Sequence, residues 1–255
     1  MNHSPLSFQI ALALFICLIT NTITSAQLPE DTQQLIIGIA PDKSSSHVTL
    51  SMFEKSKVGW QQNGTEWKGR LGKNGLAWGI GLHPGNIEGA MKKEGDGRSP
   101  AGIFRIGSES GYAFGYAPDI KKLPTLPYKV ITTRDLWVED SHSPYYNRHI
   151  LLPYDPKSKW EKEAQMHQGD HAHSLKLFIA HNEGTEKKRA VANTGSSIFF
   201  HIWRGGGSKP TAGCTTMHEA KLKEVISKID PSKNPVYILL TANDYKKYRA
   251  SWKLP

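Results

Sequence analysis

Cysteine is almost absent from this chain of 255 residues, which contains only Cys17 and Cys214. Cys17 lies inside an N-terminal apolar run that we expect to be removed from the mature protein. A lone thiol in an exported protein has no intramolecular partner, which excludes a disulfide-stabilised scaffold. Cys214 is therefore incidental, intermolecular or chemically active, and its neighbours in the sequence have to decide between these roles.

Long apolar runs are also scarce, and the longest extends from Ile10 to Thr20. This run is much shorter than the roughly 20 residues that a membrane-spanning helix needs. The small residues Thr24, Ser25 and Ala26 follow it. The pattern predicts a signal peptide over residues 1–26 and an exported protein with no stable membrane span.

Acidic residues are in the minority, because 23 Asp and Glu face 32 Lys and Arg, for a formal net charge of +9. Such a charge favours anionic surroundings, which could be cell-wall polymers, nucleic acid or an acidic membrane. The basic residues are scattered along the chain and are not interleaved with aromatic residues in one stretch. The sequence therefore does not predict nucleic acid as a partner.

Short β-rich runs, separated by Gly, Pro, Asn and Ser, dominate the remaining sequence. They predict a mainly β fold with a minor helical part, built of sandwich-like or barrel-like sheets in one domain over residues 27–255. The predicted strands are Leu35–Ile39, Val48–Phe53, Leu76–Leu82, Ile103–Ile106, Lys129–Val138, Leu175–Ala180, Ile198–Trp203 and Val236–Thr241.

Helical patterns are few. One helix is predicted from Met217 to Ile229, with a capping box formed by Thr216 and Glu219, and a weaker one from Asn243 to Trp252. The segment Asp140–His173 is rich in Pro, His, Tyr and charge, and we interpret it as an insert and a candidate lid.

His201 and Cys214 form the main chemical candidate. His201 lies near the end of a predicted strand, Cys214 lies just before the predicted helix, and the flexible turn Gly205–Pro210 lies between them. The positive end of a helix and a neighbouring imidazole both favour a thiolate. The amides of Gly213 and Cys214 are available to a developing oxyanion. These groups suit acyl transfer by an activated cysteine.

Two stretches resemble a known family. Gly195–Arg204 (GSSIFFHIWR) with Pro210–Cys214 (PTAGC) resembles the catalytic motif of the L,D-transpeptidase (YkuD) family. Glu94–Phe104 (EGDGRSPAGIF) is similar to the upstream GDGxTPxGxF stretch of that family. Ser143–Asn147 and His181–Asn182 resemble further blocks of one branch, so that the resemblance covers about residues 70–220.

The resemblance implies a bacterial cell-envelope enzyme with a β-rich catalytic domain and no cofactor or metal. Cys214 would be the nucleophile, His201 the general base and Gly213 a backbone oxyanion donor. Cys214 would attack a peptidoglycan stem peptide and pass the acyl group to an amine, so that stem peptides are both donor and acceptor. Expected substrate-binding residues are Trp203, Arg204, Thr211 and Thr215.

The chain departs from the common family motif at two positions. Ala212 stands where that motif has a second histidine, and Thr216 stands where it has an arginine. Arg204 is either a substitute that holds a substrate carboxylate or a solvated residue at the end of a strand. These changes leave open which bond is attacked and which amine accepts.

Three other interpretations compete with the transpeptidase. A hydrolase, either an L,D-carboxypeptidase or an amidase, would use the same Cys214 and His201 with water as the acceptor. A wall-binding protein would use its basic surface and no thiol chemistry. A metallopeptidase would bind zinc through His167, His171 and His173 with Asp170, although the chain has no HExxH helix.

Overall fold

The computed structural model describes residues 28–85, 87–109, 111–117 and 126–255, so that Cys17 and the predicted signal peptide lie outside the described residues. Strands dominate this part of the chain, which confirms the predicted mainly β class. The strands are β1 Gln34–Ala40, β2 His47–Ser56, β3 Gly59–Gln62, β4 Trp67–Arg70, β5 Leu76–Trp78, β6 Ser99–Arg105, β7 Ala113–Gly115, β8 Tyr128–Val130, β9 Asp135–Trp137, β10 His149–Leu151, β11 Leu175–Phe178, β12 Phe199–Ile202, β13 Thr215–Met217 and β14 Val236–Thr241. The α-helices are α1 Lys159–Glu163, α2 Glu219–Lys228 and α3 Ala242–Tyr248.

One mixed sheet joins twelve of the described strands in the order β5-β6-β14-β1-β2-β4-β13-β12-β11-β7-β8, with β3 paired to β2. Strand β1 runs parallel to β14 and antiparallel to β2. Both β1 and β14 are almost entirely apolar and buried, as expected for strands covered on both faces. Strands β9 and β10 form a separate two-stranded sheet.

The core contains two hydrophobic clusters of different size. The larger includes most of the central sheet together with Leu222, Val225 and Ile226, the buried face of α2. Full burial of each such side chain contributes about 1.5–3 kcal/mol. The smaller cluster includes Trp137, Phe178 and Phe199, and Cys214 packs against it. The candidate nucleophile therefore lies at the edge of this smaller, aromatic cluster.

The predicted helix after Cys214 exists, but it begins later than predicted. Thr215–Met217 pairs with β12 and β4 as strand β13, so Thr216 cannot be the cap of the helix. His218 is the N-cap, and its Nδ1 accepts a hydrogen bond from the Ala220 amide at 3.2 Å. The capping-box prediction at Thr216 and Glu219 is therefore wrong, because strand pairing takes precedence over the local helix signal.

The predicted strand Lys129–Val138 is two strands in the structure. Asp135 is buried, and its Oδ2 accepts hydrogen bonds from the Thr132 amide at 2.8 Å and the Thr132 hydroxyl at 3.0 Å. These bonds close a turn that separates β8 in the large sheet from β9 in the small one. The candidate lid, 140–173, contains β10, α1 and a 3-10 turn at His171–His173. Closure of this segment over a substrate stays a prediction.

Among the described residues, no helix combines the length and the apolar composition required to cross a membrane.

Candidate active site

Three buried polar residues lie side by side on adjacent strands. Lys176 of β11 is paired with His201 of β12, and His201 is paired with Thr216 of β13. Their exposed fractions are 4%, 4% and 1%. Residues paired across neighbouring strands project on the same face of a sheet. The sheet register therefore places a cation, an imidazole and a hydroxyl in one row.

His201 is held in a single orientation by the backbone. Its Nδ1 lies 2.9 Å from the carbonyl oxygen of Ile202. A carbonyl can only accept, so Nδ1 carries the proton and donates, and Nε2 keeps a free lone pair. Burial, reinforced by the neighbouring His173, lowers the pKa of His201 to about 3. His201 is therefore neutral at pH 7 and able to accept a proton through Nε2.

Cys214 precedes strand β13 and is partly exposed. Its Sγ donates a hydrogen bond to the carbonyl oxygen of Ser197 at 3.4 Å. Burial raises the pKa of the Cys214 thiol, while the Phe199 amide and the Lys176 ammonium act in the opposite direction. The resting group is therefore a thiol.

This result corrects the predicted activation of Cys214. The sequence predicts a thiolate stabilised by a helix N-terminus, whereas β13 and His218 separate Cys214 from the first residue of α2. The effect of a helix dipole is confined to its first turn. The dipole of α2 is therefore excluded as the source of activation, which leaves His201 as the candidate base.

The loop before Cys214 is tied together by hydroxyl groups. Thr211 Oγ1 donates to the Cys214 carbonyl at 2.7 Å and accepts from the Gly213 amide at 3.0 Å. Ser99 Oγ, at the start of β6, donates to the Gly213 carbonyl at 2.7 Å. The Gly213 amide, predicted as the oxyanion donor, is thus already bonded within the loop. The Cys214 amide is the better candidate for that role.

A cavity of about 110 Å³ opens in front of these groups, and six of its lining residues are His173, His201, Arg204, Thr211, Cys214 and Thr216. The predicted nucleophile and base therefore line the same cavity. Two predicted substrate contacts, Thr211 and Arg204, line it as well. The cavity combines a thiol, two imidazoles and a guanidinium, which is a set of groups suited to acyl transfer.

Arg204 is half exposed, and its Nη2 lies 2.5 Å from Asp170 Oδ2. It therefore has a carboxylate partner within the chain, although it also faces the cavity. Trp203 packs edge-on against His218 at 5.8 Å between ring centroids. Thr215 is buried, and its Oγ1 lies 3.1 Å from the Tyr237 hydroxyl in the core. The predicted substrate contact of Thr215 is not supported by this position.

Lys176 is the functional candidate that sequence reasoning missed. Its Nζ donates to the Met166 carbonyl at 2.8 Å and lies 5.6 Å from the centre of the Phe199 ring. Burial lowers the pKa of Lys176 to about 8, although Cys214 in its ionised form and the carboxylates of Asp170 and Glu139 oppose the shift. An alternating strand pattern reveals that Lys176 occupies a strand, but only the register reveals its proximity to His201.

The three histidines of the alternative zinc site have separate partners. His167 stacks on Tyr116 with 4.1 Å between ring centroids, His171 binds Glu219 at 2.9 Å, and His173 binds Asp170 at 2.7 Å. In the described residues, no group of three or more His, Cys, Asp or Glu side chains is arranged to hold a metal ion. The metallopeptidase interpretation therefore finds no support in the geometry.

A second group of buried polar contacts is centred on Asn147, and we call it the Asn147 hub. Asn147 Nδ2 donates to the carbonyls of His181 at 2.9 Å and Asn182 at 2.7 Å. Its Oδ1 accepts from Trp137 Nε1 at 2.8 Å and from the Ser197 amide at 3.0 Å. Asn147 thus joins the two outlying sequence blocks to the segment that carries His201.

The hub also fixes Ser197 in an unusual conformation. Ser197 has φ +57°, in the left-handed region, and its carbonyl is the acceptor for Cys214 Sγ. Non-glycine residues in this region carry strain that the surrounding structure must offset. The hydrogen bond from the Ser197 amide to Asn147 supplies part of this constraint. The hub therefore positions the cysteine through Ser197.

A family model and solved structures are similar to this chain. The family model of the YkuD L,D-transpeptidase catalytic domain matches residues 58–238. Bd1075 of Bdellovibrio bacteriovorus is a similar solved structure, at 13% identity and TM-score 0.40, over 86% of this chain and 54% of that one. The helical cell shape determining protein Pgp2 of Campylobacter jejuni matches at 13% identity and TM-score 0.38, over 85% of this chain and 50% of that one.

This chain thus spans about half the length of both proteins. A search of curated proteins finds no significant match. The family match covers most of the chain and includes His201, Cys214 and the strands that carry them. The chain therefore belongs to the L,D-transpeptidase (YkuD) catalytic domain family.

Proposed function

We propose that this protein is an exported L,D-transpeptidase that transfers acyl groups between peptidoglycan stem peptides through a thioacyl intermediate on Cys214. The observation that carries the proposal is the shared cavity of Cys214 and His201, with His201 oriented by the Ile202 carbonyl. Family membership supports peptidoglycan as the substrate. We further propose that residues 27–255 act as one catalytic domain.

The reaction begins with a thiol and a neutral imidazole. His201 Nε2 takes the Cys214 proton as Sγ attacks the carbonyl carbon of the donor peptide, and the negative charge on the oxygen develops towards the Cys214 amide. The imidazolium then gives its proton to the leaving amine as the C–N bond breaks. The Lys176 ammonium favours the transient thiolate, because its positive charge acts to lower the pKa of Cys214.

The second half of the reaction releases the enzyme. An acceptor amine attacks the thioester carbonyl, a C–N bond forms, the C–S bond breaks and a base takes one proton from the amine. Arg204 and Lys209 bring positive charge to the cavity wall, which suits the carboxylates of a stem peptide. Attack by water in place of the amine would give a hydrolase with the same residues.

The proposal is tested by incubating disaccharide tetrapeptides with the mature protein and with Cys214→Ala, and by analysing the products by mass spectrometry. A cross-linked dimer or an exchanged terminal D-amino acid that requires Cys214 is the expected result. Cysteine-dependent shortening without dimers would reassign the protein as a hydrolase. Identical products from both proteins would overturn the proposal and favour a wall-binding role.

A further inference from the structure

A second imidazole, that of His173, lines the cavity with His201 and Cys214. It belongs to the 3-10 turn His171–His173 and is 14% exposed. Its ring stacks on that of His201, with 4.6 Å between centroids and 28° between planes. The reaction described above uses only one of these two rings.

Asp170 orients His173 from behind. Asp170 Oδ1 lies 2.7 Å from His173 Nδ1 and also accepts from the His173 amide at 3.0 Å. Burial opposes ionisation of Asp170, but hydrogen bonds from Arg204 and His173 dominate and lower its pKa to about 2. Asp170 is therefore an acceptor, and the shared proton resides on His173 Nδ1.

Arg204 Nη2 lies 3.1 Å from the same nitrogen, a contact that would require the other tautomer because a guanidinium only donates. The shorter, charge-assisted bond to Asp170 decides between the two. His173 Nε2 is then left with a lone pair. Burial, followed by the charge of Lys176, lowers the pKa of His173 to about 4, so the ring is neutral at pH 7.

The two imidazoles differ in the group that accepts a hydrogen bond from Nδ1 and would stabilise the protonated ring. His201 is backed by a carbonyl dipole, and His173 is backed by a full negative charge. A base that is oriented by a carboxylate is stabilised at the moment it becomes an imidazolium. The stacked rings cannot easily both be charged, because like charges at this distance repel each other. This arrangement favours use of the rings in different steps.

We propose that His173, oriented by Asp170, is a second catalytic base, which takes the proton from the acceptor amine as it attacks the thioester on Cys214. The amine nitrogen forms a bond to the acyl carbon, its proton moves to His173 Nε2 and the C–S electron pair returns to Cys214. His201 serves the first step, in which the thiol proton has to reach the leaving amine. This inference rests on the thioacyl chemistry of the proposed function and not on its peptidoglycan substrate.

The test uses p-nitrophenyl acetate as acyl donor and glycinamide as acceptor amine. The p-nitrophenolate leaving group needs no proton, so its release burst reports acylation of Cys214, and formation of N-acetylglycinamide reports aminolysis. In His173→Gln the burst is expected to stay close to that of the unaltered protein, while aminolysis of the acetyl-enzyme slows by about 10²-fold. His171→Gln is the matched control, because His171 lies in the same turn and is exposed.

Asp170→Asn provides a second variant that keeps the imidazole and removes the charge behind it. It should slow aminolysis less than His173→Gln and leave the burst unchanged. An equal loss of burst and aminolysis in these variants, or no loss of aminolysis, would overturn the inference and leave a stacking role for His173. Absence of a Cys214-dependent burst would also overturn it. If the burst and the aminolysis change as expected but the protein is inactive on stem peptides, the inference about His173 holds and only the proposed substrate is rejected.

Discussion

The cavity and the Asn147 hub both contain buried polar side chains, and Ser197 bonds to Cys214 of the one and to Asn147 of the other, but the two regions differ in hydrogen bonding. In the hub, Asn147 makes four hydrogen bonds through its side chain. At the cavity, Thr216 Oγ1 is buried and has no partner in the described part of the chain. Satisfied groups fix positions, whereas unsatisfied groups cost stability and are available to a substrate. The bonds of the hub therefore stabilise the fold, whereas the unpaired hydroxyl of Thr216 at the cavity lowers the stability of the described part of the chain.

His201→Gln is expected to give the largest difference between the effect on activity and the effect on stability. Removal of the base should lower the rate of acyl transfer by about 10³-fold, while the midpoint of thermal unfolding changes little. Rates with a stem-peptide donor and a melting curve measure the two quantities. His142→Gln, at an exposed position, is the control. A large loss of thermal stability in His201→Gln would contradict this division of roles.

Asn147→Ala should have the opposite profile. It leaves the Trp137 indole, the Ser197 amide and two carbonyls without their partner, which should lower the free energy of unfolding by about 3–5 kcal/mol. Denaturant unfolding measures the change. Asn193→Ala is the matched control, because Asn193 has a similar φ of +58° against +56° but is exposed. Equal losses in the two variants would show that backbone conformation matters and the hub does not.

Lys176→Met tests whether the buried ammonium beside His201 lowers stability and raises the reactivity of Cys214. Burial already raises the pKa of Cys214, so alkylation by iodoacetamide should be slow at pH 7 and should accelerate as the pH rises. Loss of the ammonium should raise that pKa further, because the charge of Lys176 lowers it, so alkylation at pH 7 should be several-fold slower in Lys176→Met. Thermal stability should stay constant or rise, because a buried charge is removed. Lys187→Met, at the surface, is the control, and unchanged alkylation in Lys176→Met would exclude the electrostatic role.

The smallest effect is expected at two adjacent threonines on β13. Thr216→Val removes a buried hydroxyl that has no hydrogen-bond partner among the described residues, so the free energy of unfolding should stay constant or increase slightly. Thr215→Val removes a hydroxyl that is bonded to Tyr237 and should cost about 1 kcal/mol. Urea unfolding of the two variants gives the comparison. The reverse order would show that Thr216 has a bonding role in the folded state.

The sequence predicts the strand-rich class and brings His201 and Cys214 together through local signals, because the strand, the glycine-rich turn and the motif are all contiguous. It does not predict how Cys214 is activated, since β13 forms through pairing with β4, which is distant in the sequence. The roles of Lys176 and His173 depend on register and on a turn at the end of the segment 140–173. Such contacts between distant residues have no signature in a local pattern.

The protonated state of Cys214 also has a consequence for durability. Peroxide attacks the thiolate and converts it to sulfenic acid, and further oxidation is irreversible. A neighbouring cysteine commonly rescues the sulfenic acid as a disulfide, but Cys214 is the only cysteine after the predicted signal peptide. Because burial keeps the resting sulfur protonated, Cys214 is less exposed to an oxidation that no second thiol in the described part of the chain could reverse.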